Sequence, residues 1–452
     1  MEKKDAPVKE PQILYSQRCW IDGSLQAATL FLEGGKIDRI VWGKAAVPDM
    51  KDYGDAVLMP GLIDPHVHIN EPGRTHWEGF DTATRAAAFG GITTLIDMPL
   101  NSSPVTTTGA AFWEKIQASE GKRQVHCGFW GGVVDDNKQH VQELINAGCL
   151  GFKAFLTHSG IADFPNATPA QLDVVMPLIA AAGLPLLVHC ELALDPDSDR
   201  ALQQNPRSYA AWLASRPDRW EVAAIEAMIY LCRKHRCRTH IVHLATAAAL
   251  PLIRAAKREG LPLTVETCPH YLFWAAEDLP DGDTRYKCAP PIRSAANRDA
   301  LLAAIGEGLI DFLGSDHSPA PPEIKELDSG NLAKAWGGIA DLQFLLPASW
   351  TSLGDRVGLA QFIPLLTENP ARFAGLAHRK GKIAPGYDAD LVVWEPESTF
   401  LVQQSAVQHR HKVSPYVGEM LKGRVLHTWV NGREAYGRDI FLSWNAGDVL
   451  RH

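Results

Sequence analysis

The chain has 452 residues, 46% hydrophobic and 21% charged, and Lys+Arg 44 against Asp+Glu 52 gives a formal net charge of −8. That length suits one large barrel with an appendage, or two to three domains, and the composition is that of an ordinary globular protein. The acidic balance argues against nucleic acid or an anionic membrane surface as main partner, and no apolar run reaches the roughly 18 residues of a membrane span.

The first residues, Met1-Glu2-Lys3-Lys4-Asp5-Ala6-Pro7, have no apolar segment behind their charges. They read as a disordered leader over residues 1–12 rather than a secretory signal. From residue 13 the chain alternates and turns often. Thr29 to Leu32, then Gly34-Gly35, then Lys36 to Trp42 predicts a β-hairpin. The same texture returns after residue 380, in Gly386 to Trp394 and in Gly423 to Gly432. Residues 13–58 plus 380–445 are therefore expected to form one small, discontinuous, β-sandwich-like domain.

Between them, residues 59–379 change rhythm. Apolar runs of strand length stand at 61–66, 92–98, 125–130, 149–155, 184–190, 238–244, 261–267 and 309–314. Helical patterns lie between them at 77–89, 108–120, 138–147, 169–182, 219–235, 245–259 and 297–307. Strands that are apolar throughout are buried on both faces, as in parallel sheets. Eight such units predict an α/β fold of the TIM-type (β/α)8 barrel class. The alternative, a doubly wound open sheet, lacks its Gly-x-Gly-x-x-Gly after the first strand. The eight cysteines stand singly, mostly in apolar strands. They read as reduced thiols in a cytoplasmic protein, and Cys232 and Cys237 lack metal-type spacing.

Chemistry-bearing residues collect at the strand ends. His66 and His68 are two apart on the first strand, so their side chains point the same way. Lys153 stands near the end of the fourth strand, His189 ends the fifth, His243 the sixth, and Asp316 follows the eighth. Each has a bland reading alone: a satisfied core histidine, a snorkelling lysine, a helix N-cap. Together they occupy equivalent ends of five strands, where a barrel builds its active site. Four imidazoles and a carboxylate suit two divalent ions, and a buried lysine of lowered pKa can take up CO2 to become a bridging carbamate. A hydroxide shared by the metals would then hydrolyse a substrate, with Asp316 as general base and acid. No Gly-x-Ser-x-Gly elbow marks a serine nucleophile.

The Asp64-Pro65-His66-Val67-His68 signature, the later ligands and the split β segments resemble the amidohydrolase superfamily. Within it the chain is similar to the cyclic amidohydrolases: dihydroorotase, hydantoinase (dihydropyrimidinase) and allantoinase. The resemblance implies that His66, His68, N6-carboxylated Lys153, His189, His243 and Asp316 hold a binuclear centre. It implies zinc, with Mn2+, Co2+ or Fe2+ as alternatives, and a homotetramer. His68 to Phe80, Lys334-Ala335-Trp336-Gly337-Gly338-Ile339 and His411 to Tyr416 resemble the allantoinase family. Asn70 stands where a dihydroorotase typically has Arg, and Leu156 to Gly160 lacks the tyrosine of hydantoinases.

The activity implied is hydrolytic opening of allantoin to allantoate in purine degradation. Ring and ureido recognition is expected from Asn101 and from the main chain around Ala289, Pro290, Gly337 and Gly338. Loop 157–168 is a candidate lid, and Arg74 and His317 candidate supporting residues. Two departures from relatives are Ala289, often Ser, and Leu192, often Asn. A non-catalytic relative would lack metal ligands, and here the set is complete.

Overall fold

The computed structural model describes residues 11–438, 440–442 and 446–452. The expected leader falls outside the described residues up to residue 10, and Gln12 already opens a strand.

Eight short strands alternate with helices: Leu62–Val67, Ile92–Asp97, His126–Phe129, Phe152–Phe155, Pro185–His189, Arg238–Ile241, Leu263–Thr267 and Phe312–Leu313. All pair in parallel with their neighbours. The ladder is carried past the third strand by Gly131–Gly132, which pairs with the fourth. The other seam closes where Val67 bridges His317 and His68 N donates to His317 O at 2.8 Å. Closure at both seams makes this the expected barrel and rules out the open sheet. The predicted helices are present as Phe80–Phe89, Gly109–Ala118, Lys138–Ala147, Pro169–Ala181, Asp218–His235, Leu250–Arg258 and Ala295–Gly306. Their starts follow capping chemistry: Thr168 and Gln171 form a capping box before Pro169, and Ser294 Oγ accepts from Asn297 N.

The strands sort their apolar residues onto two faces. Phe152, Ala154, Leu186, Val188, Ile241 and Val265 pack outward in the cluster beneath the helices. Ile96, Leu187, Val242 and Phe312 join Trp130, Leu150 and Phe373 in the barrel interior. Alternation then puts Lys153, His189 and Glu266 inside with Leu187. The sequence of a fully apolar strand hides this division, and the barrel reveals it.

Among the described residues the two ends of the chain share one sheet, ordered Ile440–Phe441, Arg433–Gly437, Met420–Val430, Leu391–Leu401, Val57–Pro60, Gln12–Ile21, Ser24–Glu33, Lys36–Trp42. Val57–Pro60 is its joint, parallel to Gln12–Ile21 on one side and antiparallel to Leu391–Leu401 on the other. The chain then enters the barrel through Gly61, where a Cβ would lie 2.2 Å from Thr93 Cγ2. Only glycine lets the strands approach so closely there.

Asp390 locks sheet to barrel. It faces His126 Nε2 at 3.2 Å, accepts from Asn431 N at 2.9 Å and pairs with Lys380, while its carbonyl accepts from Gly61 N at 2.8 Å. Burial works against its charge, but His126 and Lys380 outweigh burial and hold its carboxyl well below the usual range. Asp390→Asn leaves Lys380 less compensated and is expected to cost about 3–5 kcal/mol in urea unfolding near neutral pH. A depressed folded pKa contributes stability above roughly pH 4, where the unfolded carboxyl ionises, and loses it as pH falls. The gap between wild type and variant should narrow on acidification, and a gap unchanged by pH would overturn this assignment.

Candidate metal centre

The inward parity of the strands delivers the residues to one end of the barrel. His66, His68 and Asp316 each offer a ligand atom, all within 4.8 Å of one another. Asp316 Oδ1 lies 3.0 Å from His66 Nε2 and 3.4 Å from His68 Nε2. The His243 ring is 5.4 Å from that of His66 and 4.6 Å from that of His189. His243 shares the parity of Ile241 and would point outward from an extended strand. Its φ of 37° breaks the alternation and turns it to the mouth. Asp316 (φ 50°), Asn101 (φ 70°) and Asn70 (φ 67°) are also left-handed. Non-glycine residues in that region carry strain, which collects where side-chain aim matters more than backbone comfort.

Carboxylates fix which ring nitrogen faces the centre. Glu266 binds Nδ1 of His66, so Nε2 is the atom turned to Asp316. Glu191 Oε2 accepts from His189 Nε2 at 2.7 Å, leaving Nδ1 for the centre. Asn101 Nδ2 stands 3.3 Å from His68 Nδ1, while Asn101 Oδ1 has no partner. A half-turn of that amide presents Oδ1 to a protonated Nδ1, satisfies the orphan and frees Nε2 as a lone-pair donor. Such outer partners orient ligating histidines and raise their basicity.

The electrostatics fit a cation. Burial alone would lower the His66 pKa, but Asp316 and Glu266 raise it to about 9. Lys153 is fully buried, its Nζ has no hydrogen-bond partner, and the ring of Phe155 lies 4.9 Å away. Burial pushes its pKa down to about 8, against the pull of Asp316 and Glu266. An unpaired buried ammonium is costly. A nitrogen that reaches its neutral form near physiological pH can take up CO2, and the resulting anion belongs among four imidazoles. The residues present therefore fit a pair of divalent cations with a carboxylated lysine.

Above the centre lies a cavity of about 600 Å³. His66, His68, His189, His243 and Asp316 line it, with Asn101, Ala289 and Gly337 from the expected recognition set. Pro290 and Gly338 are not among its lining residues. The Pro290 carbonyl accepts from Tyr271 OH at 2.8 Å, and Gly338 is so close to Ser318 that a Cβ would lie 2.5 Å from its carbonyl. They shape the backbone rather than face the cavity. Asn70 also stands off the cavity, donating to Pro319 O at 3.4 Å. Thr157 to Ile161 of the loop over 157–168 line the rim. Arg74 lines it too, donating to Asn101 O at 2.8 Å, whereas His317 is buried behind, its Nδ1 accepting from Asp341 N at 3.2 Å.

Sequence reading missed Glu191 and Glu266 as supporting carboxylates. Both carried the signal that picked out Lys153, an ionisable residue in or beside an apolar strand. It also missed the indole wall of Trp77, Trp212 and Trp336, in which Trp77 meets Trp336 edge-on at 4.9 Å. Lys325 braces that wall, its Nζ donating to Lys287 O at 3.0 Å, Trp336 O at 3.1 Å and Gly338 O at 2.5 Å.

Comparison with known proteins agrees with this architecture. Residues 57–435 match the amidohydrolase family model. The chain is 45% identical to an allantoinase of Arabidopsis thaliana, over 96% of this chain and 90% of that one. It is 46% identical to an allantoinase of Streptomyces avermitilis, over 93% and 94%. Among solved structures, L-hydantoinase (dihydropyrimidinase) from Arthrobacter aurescens superposes with a TM-score of 0.90 at 29% identity, covering 97% of this chain and 99% of that one.

Lys325→Met removes three donors from three buried carbonyls, at about 1–3 kcal/mol each in desolvation. The segment 319–338 should become several-fold more sensitive to limited proteolysis, mapped by mass spectrometry. An unchanged cleavage pattern would remove Lys325 from its bracing role.

Proposed function

The chain belongs to the amidohydrolase family, and we propose that it opens the hydantoin ring of allantoin by hydrolysis to give allantoate. The observation that carries this reading is the likeness, at 45 and 46% identity over nearly the whole chain, to curated allantoinases. The cavity described above agrees with it: five of the six candidate ligands line the floor, with Lys153 buried beside them, and the main chain at Ala289 and Gly337 runs along the wall.

His66, His68, Lys153 as N6-carboxylysine, His189, His243 and Asp316 would hold two divalent cations. When bound, the cations supply Lewis acidity for the ring carbonyl and a water whose pKa falls to roughly 7. A set dominated by imidazole suits Zn2+, and Mn2+, Co2+ and Fe2+ accept the same donors. Asp316 is ionised, held so against burial by His66 and His68, as a proton acceptor must be. Its carboxylate takes the proton of the attacking water and passes it to the ring nitrogen that leaves. Glu266 and Glu191 keep His66 and His189 in the tautomers that aim lone pairs inward. Asn101 and the main chain of Ala289 and Gly337 orient the ring, with Pro290 and Gly338 setting the course of that main chain. Loop 157–168 and the indoles close the mouth and limit water.

The partner is a small molecule rather than nucleic acid or a membrane. Among the described residues no helix is long and apolar enough to cross a bilayer. All eight cysteines are free and buried, which suits the cytoplasm, and a homotetramer is the assembly we infer from the family resemblance.

Two measurements test the reading. The protein purified with Zn2+ and bicarbonate should turn over allantoin in preference to dihydroorotate, dihydrouracil and unsubstituted hydantoin offered side by side. Preference for any of the other three would replace the substrate assignment. Lys153→Ala should bind less than the wild-type content of metal by elemental analysis, with partial recovery on adding a short carboxylate. Full metal content without that addition would remove Lys153 from the centre.

A further inference from the structure

The cavity wall holds a cation that the hydrolysis above does not use. Lys287 lines the cavity and is only 6% exposed. Among the described residues no carboxylate lies within ion-pair distance of its ammonium, whose one hydrogen bond runs from Nζ to Ala335 O at 2.5 Å. An ammonium carries three donors, so two remain. The neighbouring cation, Arg216, is engaged by Glu191, with Nε donating to Oε1 at 3.0 Å and Nη2 to the other oxygen. Between the two cations stands Trp212, whose ring is 4.5 Å from Lys287 Nζ and 5.6 Å from the Arg216 guanidinium. Trp212 is itself 6% exposed, lines the cavity, and has a buried Nε1 with no hydrogen-bond partner. A Cβ built on Gly337 would lie 3.9 Å from both Lys287 Cε and Ala289 Cβ, so this wall adjoins the main chain assigned to the ring.

Two unused N–H donors of one ammonium, held over an indole face, therefore sit next to the ring site. Leaving them unpaired in a buried wall is costly unless the ligand accepts from them. A urea-type carbonyl oxygen has two lone pairs and high basicity for a neutral group, and it matches them. We propose that Lys287, braced on Trp212, binds the ureido carbonyl of the substrate and selects it over the unsubstituted hydantoin ring. This rests on the allantoin reading and adds the residue that recognises the substituent. Lys287 remains an ammonium at neutral pH even though burial and Arg216 lower its pKa to about 8. Lys325, by holding the Lys287 carbonyl, keeps the backbone of this donor in place.

The test separates recognition from folding. Wild-type protein and Lys287→Met are compared for the KM of allantoin and for the Ki of unsubstituted hydantoin as a competitor. Loss of a charged hydrogen bond should raise the KM of allantoin about 10- to 100-fold while the Ki of hydantoin moves less than about twofold. Lys287→Gln, which keeps an N–H donor, should recover part of the loss. Equal weakening of both ligands would make Lys287 a structural wall residue and overturn the proposal. An unchanged KM for allantoin would overturn it as well. Hydantoin-5-acetic acid serves as a third ligand. If the variant weakens only that one, the wall is a carboxylate site and the proposal fails. A wild-type protein that does not turn over allantoin at all defeats the functional reading itself, a different result from any of these.

Discussion

The pairing of Glu266 with His66 is the constraint on which the centre depends. Glu266 is fully buried inside the barrel, its Oε2 3.2 Å from His240 Nε2 and its Oε1 within 3.4 Å of His243 N. One carboxylate on the seventh strand thus touches the first and the sixth. Burial would push its pKa up, yet His66 and His240 bring it down to about 2, so it stays an anion. A fixed negative charge in a low-dielectric interior must be met by positive charge nearby. That requirement sets the tautomer of His66 and makes the mouth of the barrel a place where cations are favoured.

The same logic runs outward from the centre in rings. Glu191 orients His189 and is neutralised by Arg216. Glu221 accepts from Arg293 and from Ala245 N at 3.1 Å, joining the helix Asp218–His235 to the turn after the sixth strand. Lys325 then ties three backbone carbonyls of the cavity wall. The inner charges are paired for chemistry and the outer ones for rigidity. Lys287 and Lys153 stand apart: among the described residues neither has a carboxylate in an ion pair, and, unlike Lys325, neither has its three donors filled by backbone carbonyls. An unpaired lysine in an interior so carefully balanced points to something the protein binds or acquires.

The fold was largely legible because eight apolar runs and seven amphipathic stretches alternate along the chain, and parallel strands must be apolar on both faces. Where it was not legible, periodicity was missing. Leu345–Leu353 is buried almost all round, Ser349 included, and carries Pro347, and Leu359–Leu366 contains Pro364, so neither reads as an ordinary two-faced helix. Of the site, His66, His68 and Lys153 could be placed from strand parity. His243 could be suspected but not aimed, because its left-handed backbone reverses the parity its position implies. Trp212 and Lys287 come from segments far apart in the chain with no shared pattern. Only the folded barrel brings an indole and an ammonium together. Asn70 shows the opposite error. It follows a ligand by two residues, yet its turn sends the amide to Pro319 and away from the cavity.

The joint strand Val57–Pro60 carries a consequence for how the molecule is made. It needs Gln12–Ile21 on one flank and Leu391–Leu401 on the other, and it leads through Gly61 directly into the first barrel strand. A ribosome releases its first neighbour before it and its second some 330 residues after it, by the order of the sequence. Until then one edge of a buried, wholly apolar strand has no partner, at the point where the barrel begins. Pairings of such long range form slowly and leave edges open meanwhile. The nascent chain is therefore most vulnerable to aggregation just before its last sheet strands emerge, and a truncation after the barrel would expose that edge permanently.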